Sequence, residues 1–325
     1  MFEVTRRNFL AGGAAALGVA ALPGTLRAAN AHKSKSPFKI AVITDEISQD
    51  FDHACSVAAN DFGMEWVELR GMWKKSLFTL TSAEIEEARG ILAKYDLRVT
   101  DIGSPLFKVD WPDAPVSKGR ANHEKQSADA TFKQQDEVLE KSIELAKIFK
   151  TDRVRGFDFW RLDDQAPYRA AINAKLSEAA DKLGKQGIIF VLENEMACNT
   201  GSGTEAAKVL AAIPNPNLML NWDPGNAATL DEVTFPDAWN LLPKNRIGHI
   251  HCKDAVKNSD GKWGWAPVGK GVINWTAQFK ALKKMGYHSG ISLETHWHGG
   301  SSPEDSTRQS WAGMKAALQA AGTLA

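Results

Sequence analysis

The chain carries no net charge: 39 Lys and Arg balance 39 Asp and Glu over 325 residues. That balance removes the basic surface needed to hold a phosphate backbone, so nucleic acid is not an expected partner. Cysteine is scarce. Cys55, Cys198 and Cys252 are odd in number and widely spaced, which excludes a disulfide framework. Long apolar runs are missing too. The stretch AGGAAALGVAALPG is rich in Gly and Ala and too short to span a bilayer, so no stable membrane anchor is expected. What remains is a soluble globular composition, 43% hydrophobic and 24% charged, sufficient for a full core. Eleven Trp is a high number. Most are read as core residues, although an exposed Trp is a common platform for a sugar ring.

The N-terminus reads as a targeting segment. Thr5-Arg6-Arg7-Asn8-Phe9-Leu10 resembles a twin-arginine export motif, and Ala29-Asn30-Ala31 offers a small-x-small cleavage site. Residues 1–31 are therefore read as a removable signal peptide that addresses the protein to the periplasm through the twin-arginine machinery. That route carries proteins that have already folded.

Residues 32–325 read as one domain. Eight apolar runs have strand character: FKIAVIT (38–44), WVELRG (66–71), LRVTDIG (97–103), DRVRGF (152–157), GIIFVLE (187–193), LMLNWD (218–223), RIGHIHC (246–252) and GISLE (290–294). Amphipathic helical patterns lie between them, at 82–95, 136–149, 170–186, 273–286 and 308–321. Eight strands alternating with helical patterns predict a (β/α)8 TIM barrel, an α/β fold that reaches this size as a single domain. Two segments without such periodicity, 104–125 and 255–271, are expected as long loops on the catalytic face that close over substrate.

Four polar side chains stand at the ends of strands five to eight: Glu193, Asp223, His251 and Glu294. Singly, each has a dull explanation: a helix cap, an Asp-Pro-Gly turn, a core histidine, an ion pair. Together they occupy the face of a barrel that carries the active site. Two Glu, one Asp and one His make a hard, oxygen-rich site for a divalent cation, unlike a thiolate zinc site. Cys252 follows His251 directly, so its side chain points to the other face of the strand and is not a ligand.

These residues resemble the xylose-isomerase-like barrel superfamily, the sugar phosphate isomerases and epimerases, from about Phe38 to the C-terminus. The match rests on Leu192-Glu193-Asn194, Asp223-Pro224-Gly225-Asn226, His249-Ile250-His251-Cys252-Lys253-Asp254, Gly269-Lys270-Gly271 and Leu293-Glu294, with Glu68 on strand two. The resemblance implies one divalent ion (Mn, Co, Mg or Zn) on Glu193, Asp223, His251 and Glu294, with Glu193 and Glu294 doubling as the acid/base pair. His251 is preferred over His249 because it lies nearer the strand end, leaving His249 a layer deeper. Glu68, Arg155, Glu195, Asn226, Lys253 and His296 are the expected substrate contacts. For Arg70 and Arg155 the competing reading is a structural ion pair; for Glu195, a solvated carboxylate; for His296 and His298, solvated loop histidines. Many relatives carry His where Asn226 stands, and an amide there hydrogen-bonds without carrying charge.

The mechanism that follows is removal of the proton beside a keto-sugar's carbonyl and its return on the other face, giving isomerisation or epimerisation. With a leaving group on the β carbon, the same carboxylates would make a lyase or dehydratase acting on a 3-keto-glycoside. Phosphosugars are mainly cytoplasmic, so export favours free sugars or glycosides. A non-catalytic exported carbohydrate-binding protein is disfavoured by the intact set of four ligands. The neutral charge, and eight histidines of which several lie outside strand ends, speak against the DNA-cleaving branch. Relatives are often oligomers, and a homo-oligomer is compatible with the chain.

Overall fold

The computed structural model describes residues 35–112, 114, 115, 117 and 131–325. The expected export segment and most of the insertion's second half lie outside these residues. Each of the eight expected runs forms a strand: β1 (Lys39–Val42), β2 (Trp66–Leu69), β3 (Arg98–Gly103), β4 (Arg153–Gly156), β5 (Ile189–Glu193), β6 (Leu218–Trp222), β7 (Ile247–Cys252) and β8 (Gly290–Leu293). They pair in parallel in the order β1-β8-β7-β6-β5-β4-β3-β2. A parallel bridge between Ile43 and Glu68 joins β1 to β2 and completes the ring. The protein is a single TIM barrel.

Several of the surrounding helices start where the capping chemistry is written. The helix α1 (Ser82–Lys94) opens with a capping box between Thr81 and Glu84, and turns Ile85, Ala88 and Leu92 onto the barrel. The next, α2 (Gln135–Ile148) and α3 (Arg169–Gly184), match the expected segments to within two residues. A second capping box, Ser202 with Glu205, opens α4 (Gly203–Ala212). After the short α5 (Pro224–Ala228), α6 (Trp275–Lys284) is capped by Asn274. The final helix, α7 (Pro303–Ala320), begins five residues before the apolar periodicity predicts. The cause is local: Ser302 caps it and Pro303 takes the first turn, where no amide is needed.

The segment 255–271 differs from expectation. It contains an antiparallel hairpin, Asp254–Lys257 paired with Trp263–Ala266. Its base is fixed by Asp254, whose carboxylate accepts the backbone N–H of Ala255, Gly269, Gly271 and Ile273. A Cβ on Gly271 would lie 2.2 Å from the Ala255 carbonyl oxygen, so this close approach requires glycine. A smaller hairpin, Gly71–Met72 with Lys75–Ser76, follows β2. The described start of the other insertion packs down rather than standing free. Leu106 and Phe107 are buried, and the Phe107 ring stacks on Phe159 at 5.0 Å. All three cysteines are free and buried. Among the described residues no helix is long and apolar enough to cross a membrane.

Candidate metal and acid/base site

The barrel interior is polar toward its C-terminal end. Parallel register puts Glu193 beside Asn221, Asn221 beside His249, and His251 beside Ser292, so these side chains project from one face of the sheet into the barrel. All are buried. Glu193, Asp223, His251 and Glu294 each offer a ligand atom, and these atoms lie within 4.8 Å of one another. His251 Nδ1 sits 3.2 Å from Glu193 Oε1, 3.2 Å from Glu294 Oε2 and 3.9 Å from Asp223 Oδ2. Three carboxylates and one imidazole, with no thiolate, fit a hard divalent cation.

Asp223 does both things that its sequence context allows. Its Oδ1 accepts the Asn226 N–H at 2.9 Å and caps α5. Its Oδ2 is buried, accepts no hydrogen bond, and faces the Lys253 ammonium at 2.8 Å in ion-pair geometry. Asn194, next to Glu193, ties the tips of β5 and β6 together. Its Oδ1 accepts the Asp223 N–H at 2.8 Å and its Nδ2 donates to the Asp223 carbonyl at 2.7 Å. The relative placement of Glu193 and Asp223 therefore depends on an amide that sequence reasoning passed over.

Each glutamate has its own cation. Arg155, itself buried, donates to Glu193 Oε2 at 2.8 Å. Glu294 accepts from Lys253 at 2.7 Å, with Arg70 and His296 each at 3.4 Å. Burial alone would raise both carboxyls. For Glu193 the His251 and Arg155 charges outweigh burial, and for Glu294 Lys253, His296 and His251 do. Both stay well below the usual carboxylate range and are ionised at neutral pH. Asp223 goes the other way, pushed up to about 6 by burial, with Glu294 and Glu193 adding to the shift and Lys253 opposing it.

The remaining expected residues fall into two sets. Glu68, expected as a substrate contact, is fully buried beneath the cluster. Its Oε2 lies 3.2 Å from Nε2 of both His249 and His251. His249 is the deeper residue, also bonded to Ser292 Oγ at 3.0 Å. Gly290 makes room for it, since a Cβ there would lie 2.5 Å from the ring. Asn226 is buried, with its Nδ2 on the Asn194 carbonyl at 2.9 Å and its Oδ1 unpartnered. Lys253 is buried and held by the carboxylates of Asp223 and Glu294. Glu195 resolves toward an ion pair, 3.2 Å from Lys108, on the wall of the open cavity. His296 is partly exposed on the same wall, and His298 is exposed.

That cavity has a volume of about 930 Å³ and reaches Arg155, Glu294, His296 and Trp265. The Trp265 ring meets His296 edge-on at 5.0 Å and lies 5.1 Å from the Lys253 ammonium. Asp45 and Glu46, unremarked in the sequence, hold Arg70 at 3.1 and 2.6 Å. The acidic pair directly after the first strand was the available signal.

A family model described as a xylose isomerase-like TIM barrel matches residues 57–317. The chain belongs to the xylose isomerase-like TIM barrel family. Solved structures of similar fold include a probable 3-DHS dehydratase of Bacillus anthracis, at TM-score 0.64 and 18% identity over 86% of this chain and 98% of that one. A D-allulose 3-epimerase of Methylomonas sp., in complex with D-allulose, reaches TM-score 0.63 at 18% identity, covering 88% and 96% of the two chains. A xylose isomerase-like barrel of Mycobacterium smegmatis, in complex with magnesium, gives TM-score 0.62 at 15% identity, covering 88% and 98%. At such identities the likeness is one of fold. Among these neighbours of similar fold are an epimerase and a probable dehydratase, and in this chain a buried acidic and histidine cluster could hold a metal ion.

Proposed function

We propose that this protein is a divalent-metal-dependent isomerase or epimerase that moves a proton at the carbon next to the carbonyl of a keto-sugar. The observation that carries the reading is the pair of buried glutamates. Glu193 and Glu294 come from strands on either side of Asp223 and His251, each lies 3.2 Å from the same imidazole nitrogen, and each is held by a separate set of cations. A divalent ion held by Glu193, Asp223, His251 and Glu294 would supply Lewis-acid stabilisation of charge on the substrate's carbonyl oxygen.

The protein's own groups account for the rest. Both glutamates are ionised near neutral pH, so either can take the proton; a glutamate that returns it itself does so on the face it took it from, and inversion requires the opposite glutamate to gain a proton from solvent and deliver that one to the other face. Arg155 and Lys253 keep these carboxylates oriented when their charge changes. The unpartnered Asn226 Oδ1 supplies an acceptor for a substrate hydroxyl, and Trp265 offers an apolar face for a sugar ring. Water is limited at the cluster, because all four ligand residues are buried.

A second reading is elimination from a 3-keto-glycoside, by the same carboxylates acting on a substrate with a β-leaving group. It is favoured by the cavity, which is larger than a single sugar ring requires. Export through the twin-arginine route, on the strength of Thr5-Arg6-Arg7-Asn8-Phe9-Leu10, would place free sugars or glycosides within reach rather than phosphosugars. Incubating metal-loaded protein with a panel of ketoses and 3-keto-glycosides in deuterated water, followed by NMR, separates the outcomes. Deuterium incorporation without bond loss means an epimerase or isomerase, and aglycone release means a lyase. Neither event on any substrate with full metal occupancy overturns both readings.

A further inference from the structure

The hairpin after β2 turns through two residues, Trp73 and Lys74, both in the left-handed region with φ of 54° and 60°. A two-residue hairpin loop of type I′ needs positive φ at both positions, which Asn-Gly or Gly-Gly provides without the steric strain that other side chains suffer. Here a tryptophan and a lysine hold those places. Gln49 secures the turn, accepting the Trp73 N–H on its carbonyl at 2.8 Å and the Lys74 N–H on Oε1 at 2.9 Å. Packing accounts for Trp73, whose ring meets Phe51 edge-on at 5.9 Å. Nothing in the fold accounts for Lys74. It is exposed, and its ammonium has no ion pair, hydrogen bond or ring contact among the described residues. Backbone strain kept without a packing reason points to function.

Lys74 lies on the wall of the cavity that opens over Glu294. The other lysines and arginines of that wall each have an anion: Arg70 has Asp45, Glu46 and Glu294, Lys75 has Glu84, Lys108 has Glu195, and Arg155 has Glu193. Among the described residues Lys74 is thus the unmatched positive charge on a cavity of about 930 Å³, at the upper end of pockets that take drug-sized ligands. We propose that the outer part of this cavity is a second subsite, for the portion of the substrate beyond the reacting sugar ring, and that Lys74 selects a carboxylate there. One lone ammonium matches one singly charged group; a phosphate is usually met by a fork of donors or several cations. This rests on the reading above that the inner end takes a sugar.

The test is calorimetric binding of two inert ligands to metal-loaded protein, phenyl β-D-glucopyranoside and its 4-carboxyphenyl counterpart. Neither has a ketone, so binding is read without turnover. Wild type should hold the carboxylate compound about two- to fivefold more tightly at low salt, as expected for an exposed ion pair, with the preference shrinking as salt rises. Lys74→Gly should lose that preference while its melting transition shows the fold intact, because glycine accepts the left-handed turn. Lys74→Gln, which keeps the strain and side-chain length but not the charge, should lose it as well. Equal affinity of wild type for the two ligands, or a preference that survives in both variants, overturns the assignment of Lys74 alone. Failure of both ligands to bind overturns the subsite if the protein still acts on a ketose or 3-keto-glycoside, and overturns the sugar reading with it if the protein acts on none.

Discussion

Glu68→Gln isolates what the buried carboxylate beneath the cluster does. Glu68 is fully buried, and its Oε2 lies 3.2 Å from Nε2 of His249 and of His251. The outer nitrogen of His251, Nδ1, faces Glu193, Glu294 and Asp223. If Nδ1 binds metal, Glu68 is the anion behind the imidazole, setting which nitrogen carries the proton and making the other a better donor. Glutamine keeps the shape, and its amide can both accept and donate, so the packing survives while the charge is removed. Loss of such a partner weakens metal binding by about 10- to 100-fold, or about 1.4–2.7 kcal/mol. Titration of the metal-free variant with Mn2+ by calorimetry, beside wild type, reads this directly, and thermal unfolding with and without metal reads it again through linkage. An Mn2+ affinity within twofold of wild type, in a variant that still folds, would refute the chain from Glu68 through His251 to the ion.

Further outcomes follow from the same geometry and, for export, from the sequence. Arg155→Met removes the buried partner of Glu193 and should destabilise the protein by about 3–5 kcal/mol in urea unfolding, with part of the loss recovered in the Arg155→Met/Glu193→Gln double variant; a recovery of zero would show that the pair is not coupled. Metal-free protein should become more stable as pH falls from about 7 toward 5. Asp223 has a folded pKa of about 6, above its ordinary 3.8, so its ionised form opposes folding and that cost fades on protonation, as it does for Asp101, raised by burial; the contribution of His251, raised well above 6.5, is present on the acid side; His249, lowered by burial, is a single group working the other way below 6.5; and Glu68, Glu193 and Glu294, all depressed, lose their contribution only below 4.5. Mn2+ affinity should run the opposite way and weaken over the same range, because Asp223 and His251 must release protons to bind; a flat calorimetric profile would contradict both. Replacing Arg6 and Arg7 by lysine should leave precursor in the cytoplasm, and unchanged export in a fractionation assay would end the twin-arginine reading.

The barrel was legible because its two periodicities are local. Strands buried on both faces read as short continuous apolar runs, and helices with one buried stripe read at intervals of three and four, so all eight strands appear at the expected places. The four cluster residues were legible for a related reason: each ends a run, and a parallel barrel brings every such end to one face. Helix starts were legible wherever a side chain capped them, and the early start of α7 at Ser302-Pro303 was missed because apolar spacing was followed instead of the cap.

What lay between side chains distant in the chain was settled only by tertiary structure. Glu68 and His251 are separated by 183 positions, and no local pattern reveals that the carboxylate meets the inner nitrogen of the imidazole. Arg155 and Lys253 were visible as cations near strand ends, but which glutamate each would engage depends on the stagger of neighbouring strands. The hairpin Asp254–Lys257/Trp263–Ala266 is held by four backbone amides converging on Asp254 across 19 residues, a contact that exists only once the loop has folded back. Sequence determines which groups are available and on which face of each element they stand. Charge pairing, burial and the resulting protonation states depend on distances of a few ångström between separate strands, and only the closed barrel sets those.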